Sequence, residues 1–190
     1  MLFNDSVLAG LPVGSIRSSG RIGTVTGVVI NPNDLHIDAL KCRVAGGKEQ
    51  LLMPMDIRDL SPRGVVINDH ENLIDFEDAI RLRPIIKINY ELKEKVAYLG
   101  KRRVGKVDGY AVDAESLYIN KIYIRPGIIA RVNSDRLTFD RSAIKEVTDT
   151  KVIFESNNRI LGKVKEVVPK LGSVAGVQPS AIASFTSENE

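Results

Sequence analysis

A phrase of ten residues built on two glycines occurs twice in this chain and constrains the fold more than any other feature. The first copy is Arg21–Ile30, RIGTVTGVVI, and the second is Arg103–Val112, RVGKVDGYAV. The correspondence continues downstream at one fixed offset, which pairs Leu35 with Leu117, Ile37 with Ile119 and Arg43 with Arg125. A constant offset over such a length is the signature of a duplicated structural unit. We therefore expect two units of one fold.

The composition predicts that both units are made of β-strands. Hydrophobic residues make up 43% of the 190 residues, tryptophan is absent and aromatic residues reach only 5%, so Val, Ile and Leu must build the core. Such β-branched and aliphatic residues favour strands. Turn signals follow about every ten residues, a spacing typical of small barrels and sandwiches. The expected fold is mainly all-β, with two tandem small antiparallel β-barrels, short helical turns and a linker.

The repeat also predicts the boundaries of the units. Residues 1–70 form the first unit and residues 94–156 the second. Residues 71–93 are a linker with a short helix at about Phe76–Leu82, because Pro84 disfavours a helix that continues through it. The apolar run Ile85–Ile88 is a strand or a packing segment. Residues 157–190 are a partly disordered C-terminal segment, in which Ile160–Leu171 fits a packing helix and an added edge strand equally well.

The spacing of the glycines indicates a role in bending each sheet. Residues four apart on a regular strand lie on one face, so Gly23 and Gly27 should share a face with Val25 between them. Glycines at such positions allow sharp coiling or the close approach of a neighbouring backbone. A phosphate-binding loop would need a helix immediately after the glycines. The sequence Val-Val-Ile-Asn-Pro that follows Gly27 excludes such a helix.

The charge distribution singles out one cluster of basic residues. The chain has a net charge of only +3, which is too small to indicate nucleic acid by itself. Four cations lie close together in the second unit: Lys101, Arg102, Arg103 and Lys106. A solvated hairpin turn explains them most simply, and contact with phosphate or an acidic surface is the alternative. We take the four as a possible interaction patch.

Few side chains are candidates for chemistry, and they do not form a constellation. They are His36, His70, Cys42, Asp56, Asp59 and Asp140. Neither histidine has a second metal ligand nearby in sequence, so surface or capping roles are expected. The aspartates fall at predicted helical turns and are interpreted as caps, and the cysteine as a core residue. No catalytic, cofactor or metal residues are predicted, and we do not expect an enzyme.

The order of these motifs resembles the PRC-barrel family. The resemblance rests on Leu11-Pro12-Val13, the phrase Arg21–Ile30, and Asp56-Ile57 before a closing β run, and it recurs from Arg103 to Ile153. It covers roughly residues 8–70 and 94–156. Members include the cytoplasmic part of the photosynthetic reaction-centre H subunit and a domain of a ribosome maturation factor that docks a ribosomal protein. The resemblance implies small β-barrel adaptors without enzymatic residues.

Three functions follow as expectations. The leading one is a non-enzymatic adaptor that binds another protein through the basic second unit or the groove between the barrels. The second is a ribosome- or RNA-associated maturation factor that uses the Lys101–Lys106 cluster. The third is peripheral membrane attachment through Ile160–Leu171 with its three lysines, Lys163, Lys165 and Lys170. Without a signal-peptide pattern or a long apolar run, a cytoplasmic location is expected, with no small-molecule substrate.

Overall fold

The structure is a computed structural model that describes residues 1–127 and 136–156. In the first half of the chain the strands are β1 (Leu2–Asn4), β2 (Pro12–Ser15), β3 (Gly20–Ile30), β4 (Ile37–Val44), β5 (Glu49–Leu52), β6 (Ile57–Ser61), β7 (Gly64–Ile67) and β8 (Leu73–Ile74). In the second half they are β9 (Val96–Leu99), β10 (Arg102–Asp113), β11 (Ile119–Pro126), β12 (Leu137–Asp140), β13 (Ile144–Val147) and β14 (Lys151–Phe154). The predicted all-β class is confirmed.

These strands form two seven-stranded sheets. The first has the order β6-β7-β2-β3-β4-β5-β8, and the second has the order β12-β11-β10-β9-β14-β13 with β1 added against β10. Apart from β8 and β1, the strand order is the same in both sheets. Neighbours are antiparallel except for one parallel pair in each, β2 with β7 and β9 with β14. The sequence did not predict these parallel pairs, because each joins the first and last strands of a unit.

Helical structure is short and lies mostly between strands. The helices are α1 (Asp5–Leu8) and α2 (Arg83–Ile88), and single 3-10 turns occur at Ala45–Gly47, Pro54–Asp56, His70–Asn72, Ile80–Leu82 and Arg141–Ala143. The predicted helix at Phe76–Leu82 was therefore placed too early. Pro84 lies in the first turn of α2, where its missing N–H costs nothing and its φ suits the helix. The run Ile85–Ile88 is thus helical, and it is not a strand.

The predicted boundaries of the units do not match the sheets at the linker and at the N-terminus. Strand β8, in the predicted linker, pairs with β5 of the first sheet, and the segment around α2 covers the outer face of that sheet at Val29, Ala39 and Leu51. Strand β1 pairs instead with β10, with Leu2 opposite Asp113. The assignment of residues 1–70 to one unit is therefore wrong for the first strand, whose pairing across the chain leaves no local sequence signal.

One core joins the two sheets. A single hydrophobic cluster contains Val13, Ile37 and Ile67 of the first sheet together with Ile119 and Phe154 of the second. Phe139 and Phe154 stack within it with ring centroids 4.2 Å apart. The buried Cys42 belongs to the same cluster, as predicted, and its burial raises the pKa of its thiol to about 12.

The glycines of the repeated phrase lie at β-bulges, and the prediction that they share a face with the central valine is wrong for the second glycine of each phrase. Strand β10 has one bulge between Arg103 and Gly105 and another between Val107 and Gly109. A bulge shifts the alternation of side chains by one residue. Val107 consequently faces the core, whereas a Cβ on Gly109 would lie 2.7 Å from the Asp5 carboxylate.

The first glycine of each phrase allows two backbones to approach. A Cβ on Gly23 would lie 2.9 Å from the carbonyl oxygen of Arg43, and one on Gly105 would overlap the corresponding oxygen of Arg125. Real Cβ atoms do not tolerate such contacts with a fixed backbone. Glycine is therefore required where β3 meets β4 and where β10 meets β11, in agreement with the close-approach alternative.

Candidate interaction surfaces

The two units meet through a short antiparallel bridge between equivalent residues. The N–H of Ile37 donates to the Leu117 carbonyl at 2.9 Å, and the N–H of Ile119 donates to the Leu35 carbonyl at 3.0 Å. His36 and Tyr118, the residues between them, form the bridge, and their rings pack edge to face at 4.8 Å. The two donors, Ile37 and Ile119, are equivalent residues of the repeat, and so are the two acceptors, Leu35 and Leu117. The junction has the form of a two-fold contact inside one chain.

The local turns that build this bridge are also equivalent. In the first unit Leu35 N–H donates to the Asn31 carbonyl, and in the second Leu117 N–H donates to the Asp113 carbonyl, both at 2.9 Å. Leu35 and Leu117 both have positive φ angles, 59° and 54°, which are uncommon for leucine. Both side chains are nevertheless buried in the shared core. Packing therefore holds a backbone conformation that the sequence alone disfavours.

Two clefts flank the bridge, each between a turn of one unit and an edge strand of the other. The His36 cleft, of about 420 Å³, is lined by Met1, His36, Pro54, the strand β6 and the turn Ala114–Leu117. The Arg141 cleft, of about 720 Å³, is lined by the turn Pro32–Leu35, Asn120, Arg141, Ser142 and the strand β13. Strands β6 and β13 are the edges of their sheets within the described residues.

The two clefts differ most at one pair of equivalent positions. The 3-10 turn before β6 begins at Pro54, and the corresponding turn before β13 begins at Arg141. The Arg141 guanidinium lies 4.0 Å from the centre of the Tyr118 ring, and its Nη2 donates to the Asp34 carbonyl at 2.9 Å. The Arg141 side chain covers the Tyr118 ring, and Tyr118 does not line the Arg141 cleft. Proline cannot reach across, and His36 lines the opposite cleft directly.

His36 is held in place by a carboxylate. Its Nδ1 lies 2.8 Å from Asp38 Oδ1, and its side chain is 26% exposed. His36 is therefore a partly exposed residue that lines a cleft at the junction between the units. His70, in contrast, is a surface residue with a side chain 73% exposed and its Nδ1 2.6 Å from Asp69.

The predicted capping aspartates do not cap. No side-chain hydrogen bond caps either 3-10 turn near them. Asp56 accepts a hydrogen bond from the Asn72 side chain at 2.9 Å, Asp140 pairs with Lys121 at 3.4 Å, and Asp59 lies in strand β6 at the rim of the His36 cleft.

The structure separates the four residues of the predicted basic patch. Lys101 lies in the two-residue turn between β9 and β10, and Arg102 and Arg103 begin β10; all three are exposed. Lys106 lies farther along the strand and pairs with Glu94 at 3.1 Å. No ion pair between described residues involves the other three. The free positive charge is thus concentrated at the tip of one hairpin.

A third cleft, of about 490 Å³, lies beside Tyr90 and contains two ion pairs. Lys93 pairs with Asp5, and Arg43 pairs with Glu49 at 3.4 Å. The Tyr90 hydroxyl is buried without a hydrogen-bond partner among the described residues, and burial raises the pKa of Tyr90. Lys95 lies over its ring at 4.3 Å, and burial lowers the pKa of Lys95.

The described part of the chain contains no group of three or more His, Cys, Asp or Glu residues placed to hold a metal ion. Nor does any helix in residues 1–127 and 136–156 have the length and apolar character needed to cross a membrane. The segment Ile160–Leu171, with Lys163, Lys165 and Lys170, lies outside the described residues, as do residues 128–135.

Sequence reasoning missed two distinctive residues of the junction, Tyr118 and Arg141, and it did not place His36 there. A signal was present, because the phrases Leu35-His36-Ile37 and Leu117-Tyr118-Ile119 repeat a ring between two aliphatic residues. Comparison with known proteins adds no assignment. No protein family model matches the chain, and no curated protein matches it significantly.

Proposed function

We propose that this chain is a tandem PRC-barrel-type protein that acts as a non-enzymatic adaptor and binds another protein at the junction of its two units. One observation carries the proposal: the junction leaves two clefts, each lined by the unpaired side of an edge strand in the described residues. Edge strands and grooves between units are surfaces that protein segments commonly occupy. The common strand order of the two sheets supports the duplication. The cytoplasmic location is part of the same proposal.

An RNA- or ribosome-associated role is the second candidate, and the hairpin tip favours it. Lys101, Arg102 and Arg103 are exposed there without ion-pair partners among the described residues, so they remain available for phosphate groups. Only Tyr98, on the preceding strand, lies near enough in sequence to offer a stacking ring. Single-strand binders generally combine several aromatic rings with their basic groove. We therefore favour the adaptor role over the RNA-associated role.

The test compares partner capture by three forms of the full chain: wild type, Arg102→Ala with Arg103→Ala, and Arg63→Ala as an exposed basic control in the β6–β7 turn. Captured proteins are identified, purified and titrated against each form by calorimetry. The adaptor role predicts saturable binding that resists nuclease and is unchanged in all three forms. Binding that disappears with nuclease, weakens steeply with salt and fails in the double variant would support the RNA role instead.

A further inference from the structure

The repeat supplies an internal comparison for the His36 cleft. In the opposite cleft, Arg141 of the second unit extends across the Tyr118 ring to the Asp34 carbonyl of the first. The equivalent ring and carbonyl in the His36 cleft belong to His36 and Ser116. No long side chain reaches them, because Pro54 occupies the position equivalent to Arg141. The His36 cleft therefore has the ring and the carbonyl that Arg141 contacts in the other cleft, but it has no arginine at the position equivalent to Arg141.

The unsatisfied groups of the His36 cleft match a guanidinium. The Ser116 carbonyl accepts no hydrogen bond from a described residue, so it can accept one from a ligand as Asp34 does from Arg141. The contact of Nδ1 with Asp38 holds the His36 ring in place where it lines the cleft. Planar guanidinium groups stack on such rings and donate in the ring plane to carbonyl oxygens.

The charge at the rim favours a cation. Asp59 and Glu115 line the cleft, and neither forms an ion pair among the described residues. Two positive groups also line the cleft: the Met1 ammonium, which lies 3.3 Å from Asp113, and Arg58, whose Nε donates to the neutral Asn68 side chain at 2.9 Å. With the Met1 charge paired, a cationic side chain entering the cleft would meet two unpaired carboxylates against the single guanidinium of Arg58.

The remaining wall of the cleft is apolar. Met1, Pro54, Ile57, Leu60 and Leu117 line it, and the neighbouring Met55 is 82% exposed. Methionine side chains adapt to irregular partners, and the three-carbon stem of arginine packs well on such surfaces. The equivalent position in the other cleft carries Ser142 where the first unit has Met55.

We propose that the His36 cleft is the docking site for an arginine side chain of a partner protein, which takes the place that Arg141 occupies in the opposite cleft. The inference rests on the proposed adaptor function and identifies one feature of the partner: an arginine within or beside an apolar segment. The partner's guanidinium stacks on His36, donates to the Ser116 carbonyl and lies between Asp59 and Glu115.

The test uses N-acetyl-arginine amide as the probe and the full chain labelled with ¹⁵N and with ¹³C at the methionine methyls. Saturable shifts are expected at the Met1 methyl and at the amides of Ser116 and Leu117. The Met53 methyl, which packs against the outer-face cluster, should not move. N-acetyl-citrulline amide has nearly the same shape without the charge. If it produces the same shifts, or if the arginine probe produces none that saturate, the proposal is overturned.

Variants locate the binding. Pro54→Arg supplies the missing arginine within the chain and should abolish the shifts. Asp59→Asn and Glu115→Gln should each weaken probe binding about two- to fivefold, the effect expected of exposed charge pairs. Glu146→Gln, equivalent to Asp59 but in the other cleft, is the matched control and should change nothing. Unchanged affinity in both carboxylate variants contradicts the site even if Pro54→Arg fails to fold.

In the Arg141 cleft, a substitution should create a second binding site for the probe. Arg141→Ala uncovers Tyr118 and the Asp34 carbonyl, so the probe should then produce a second set of shifts at Asp34 and Leu35. If they are missing in a folded Arg141→Ala protein, the internal comparison is wrong. A captured partner that binds Pro54→Arg as tightly as wild type would remove the arginine site but leave the adaptor function. Probe binding without any protein partner would remove the adaptor function instead.

Discussion

Asp113 shows how a single turn residue couples the fold to pH. Its Oδ1 accepts hydrogen bonds from the Ser116 backbone N–H and hydroxyl, both at 3.0 Å, and from the Glu115 N–H at 3.2 Å, while the Met1 ammonium lies 3.3 Å from Oδ2. These contacts, the Ser116 backbone bond above all, lower the pKa of Asp113 to about 2. An unfolded aspartate has a pKa of about 3.9. The stabilisation is therefore complete above about pH 4 and is lost as the pH falls toward 2.

We predict that Asp113→Asn lowers the free energy of unfolding at pH 7, and that the difference from wild type shrinks between pH 4 and pH 2. Asparagine keeps the turn, as Asn31 does in the first unit, but removes the charge. Urea unfolding at a series of pH values measures the difference. Asp140→Asn, with a side chain 69% exposed, is the control and should change little. A loss for Asp113→Asn that does not vary with pH would refute the electrostatic explanation.

A larger residue at Gly105 would disrupt the contact between β10 and β11. A Cβ there overlaps the Arg125 carbonyl oxygen, which belongs to the paired backbone and cannot rotate away. We predict that Gly105→Ala lowers the free energy of unfolding by about 2–3 kcal/mol, the usual cost of forced overpacking. Gly27→Ala is the control, since its Cβ would meet only the flexible Lys41 side chain at 3.7 Å. Equal losses in chemical denaturation would show that the close approach is not the cause.

At the scale of elements, β1 completes the second sheet. Strand β9 pairs with the first half of β10 and β1 with its end, from Ala111 to Asp113. Phe3 is only 3% exposed and belongs to the shared core. The helix α1 follows immediately, and the Asp5 carboxylate accepts a hydrogen bond from the Tyr110 N–H at 3.3 Å. The first five residues thus stabilise an element more than a hundred residues away.

Deleting residues 1–4 should therefore weaken the second sheet locally. We predict faster amide hydrogen exchange at Ala111–Asp113, because these residues lose the strand paired beside them. The equivalent end of β3, Val29–Ile30, is the internal control, since β1 does not pair with it. Exchange mass spectrometry on the full chain and the deletion measures both segments. Equal protection of Ala111–Asp113 in the two proteins would contradict the pairing.

The elements also show which parts of the fold the sequence could predict. The repeat offset placed β2–β4 and β9–β11 correctly, because alternation and turn residues are local signals. Of the two aspartates predicted at a helical turn in the first unit, Asp56 does end a 3-10 turn, but Asp59 lies in strand β6, whose tertiary pairing with β7 overrides the local preference. The β-bulges at Gly105 and Gly109 change which face of the sheet the following side chains occupy, and no residue pattern in the sequence indicates them. The clefts depend on Arg141 and His36, which come to lie at the junction only through the packing of the units.

At the scale of the whole molecule, the two units form one core, and they are not independent barrels joined by a linker. The bridge at His36 and Tyr118 carries two backbone hydrogen bonds, and Arg141 spans the junction to Asp34. Residues of both sheets share one buried cluster. A junction of this kind resists separation of the units, because opening it would expose buried apolar side chains on both sides.

We predict that heat unfolds the described sheets in one cooperative transition. Scanning calorimetry should give a calorimetric enthalpy equal to the van't Hoff enthalpy. Ile37→Ala, in the first unit, should lower the midpoint for both units, and fluorescence from a reporter Tyr118→Trp should follow the same curve as the loss of β-sheet signal. Tyr118→Trp alone is the reference. Two resolved transitions in the reference protein would show that the units unfold separately.

The position of β1 has a consequence for the newly synthesised chain. Asp113, the partner of Leu2, lies more than a hundred residues later in the chain, and the strands of the first sheet lie between them. Short-range pairs such as β2 with β3 can therefore form before β10, the strand that β1 binds, has been synthesised. The apolar Leu2 and Phe3 stay uncovered until that strand emerges. Strand β1 thus precedes the first sheet in the chain but finds its partner after that sheet has been made.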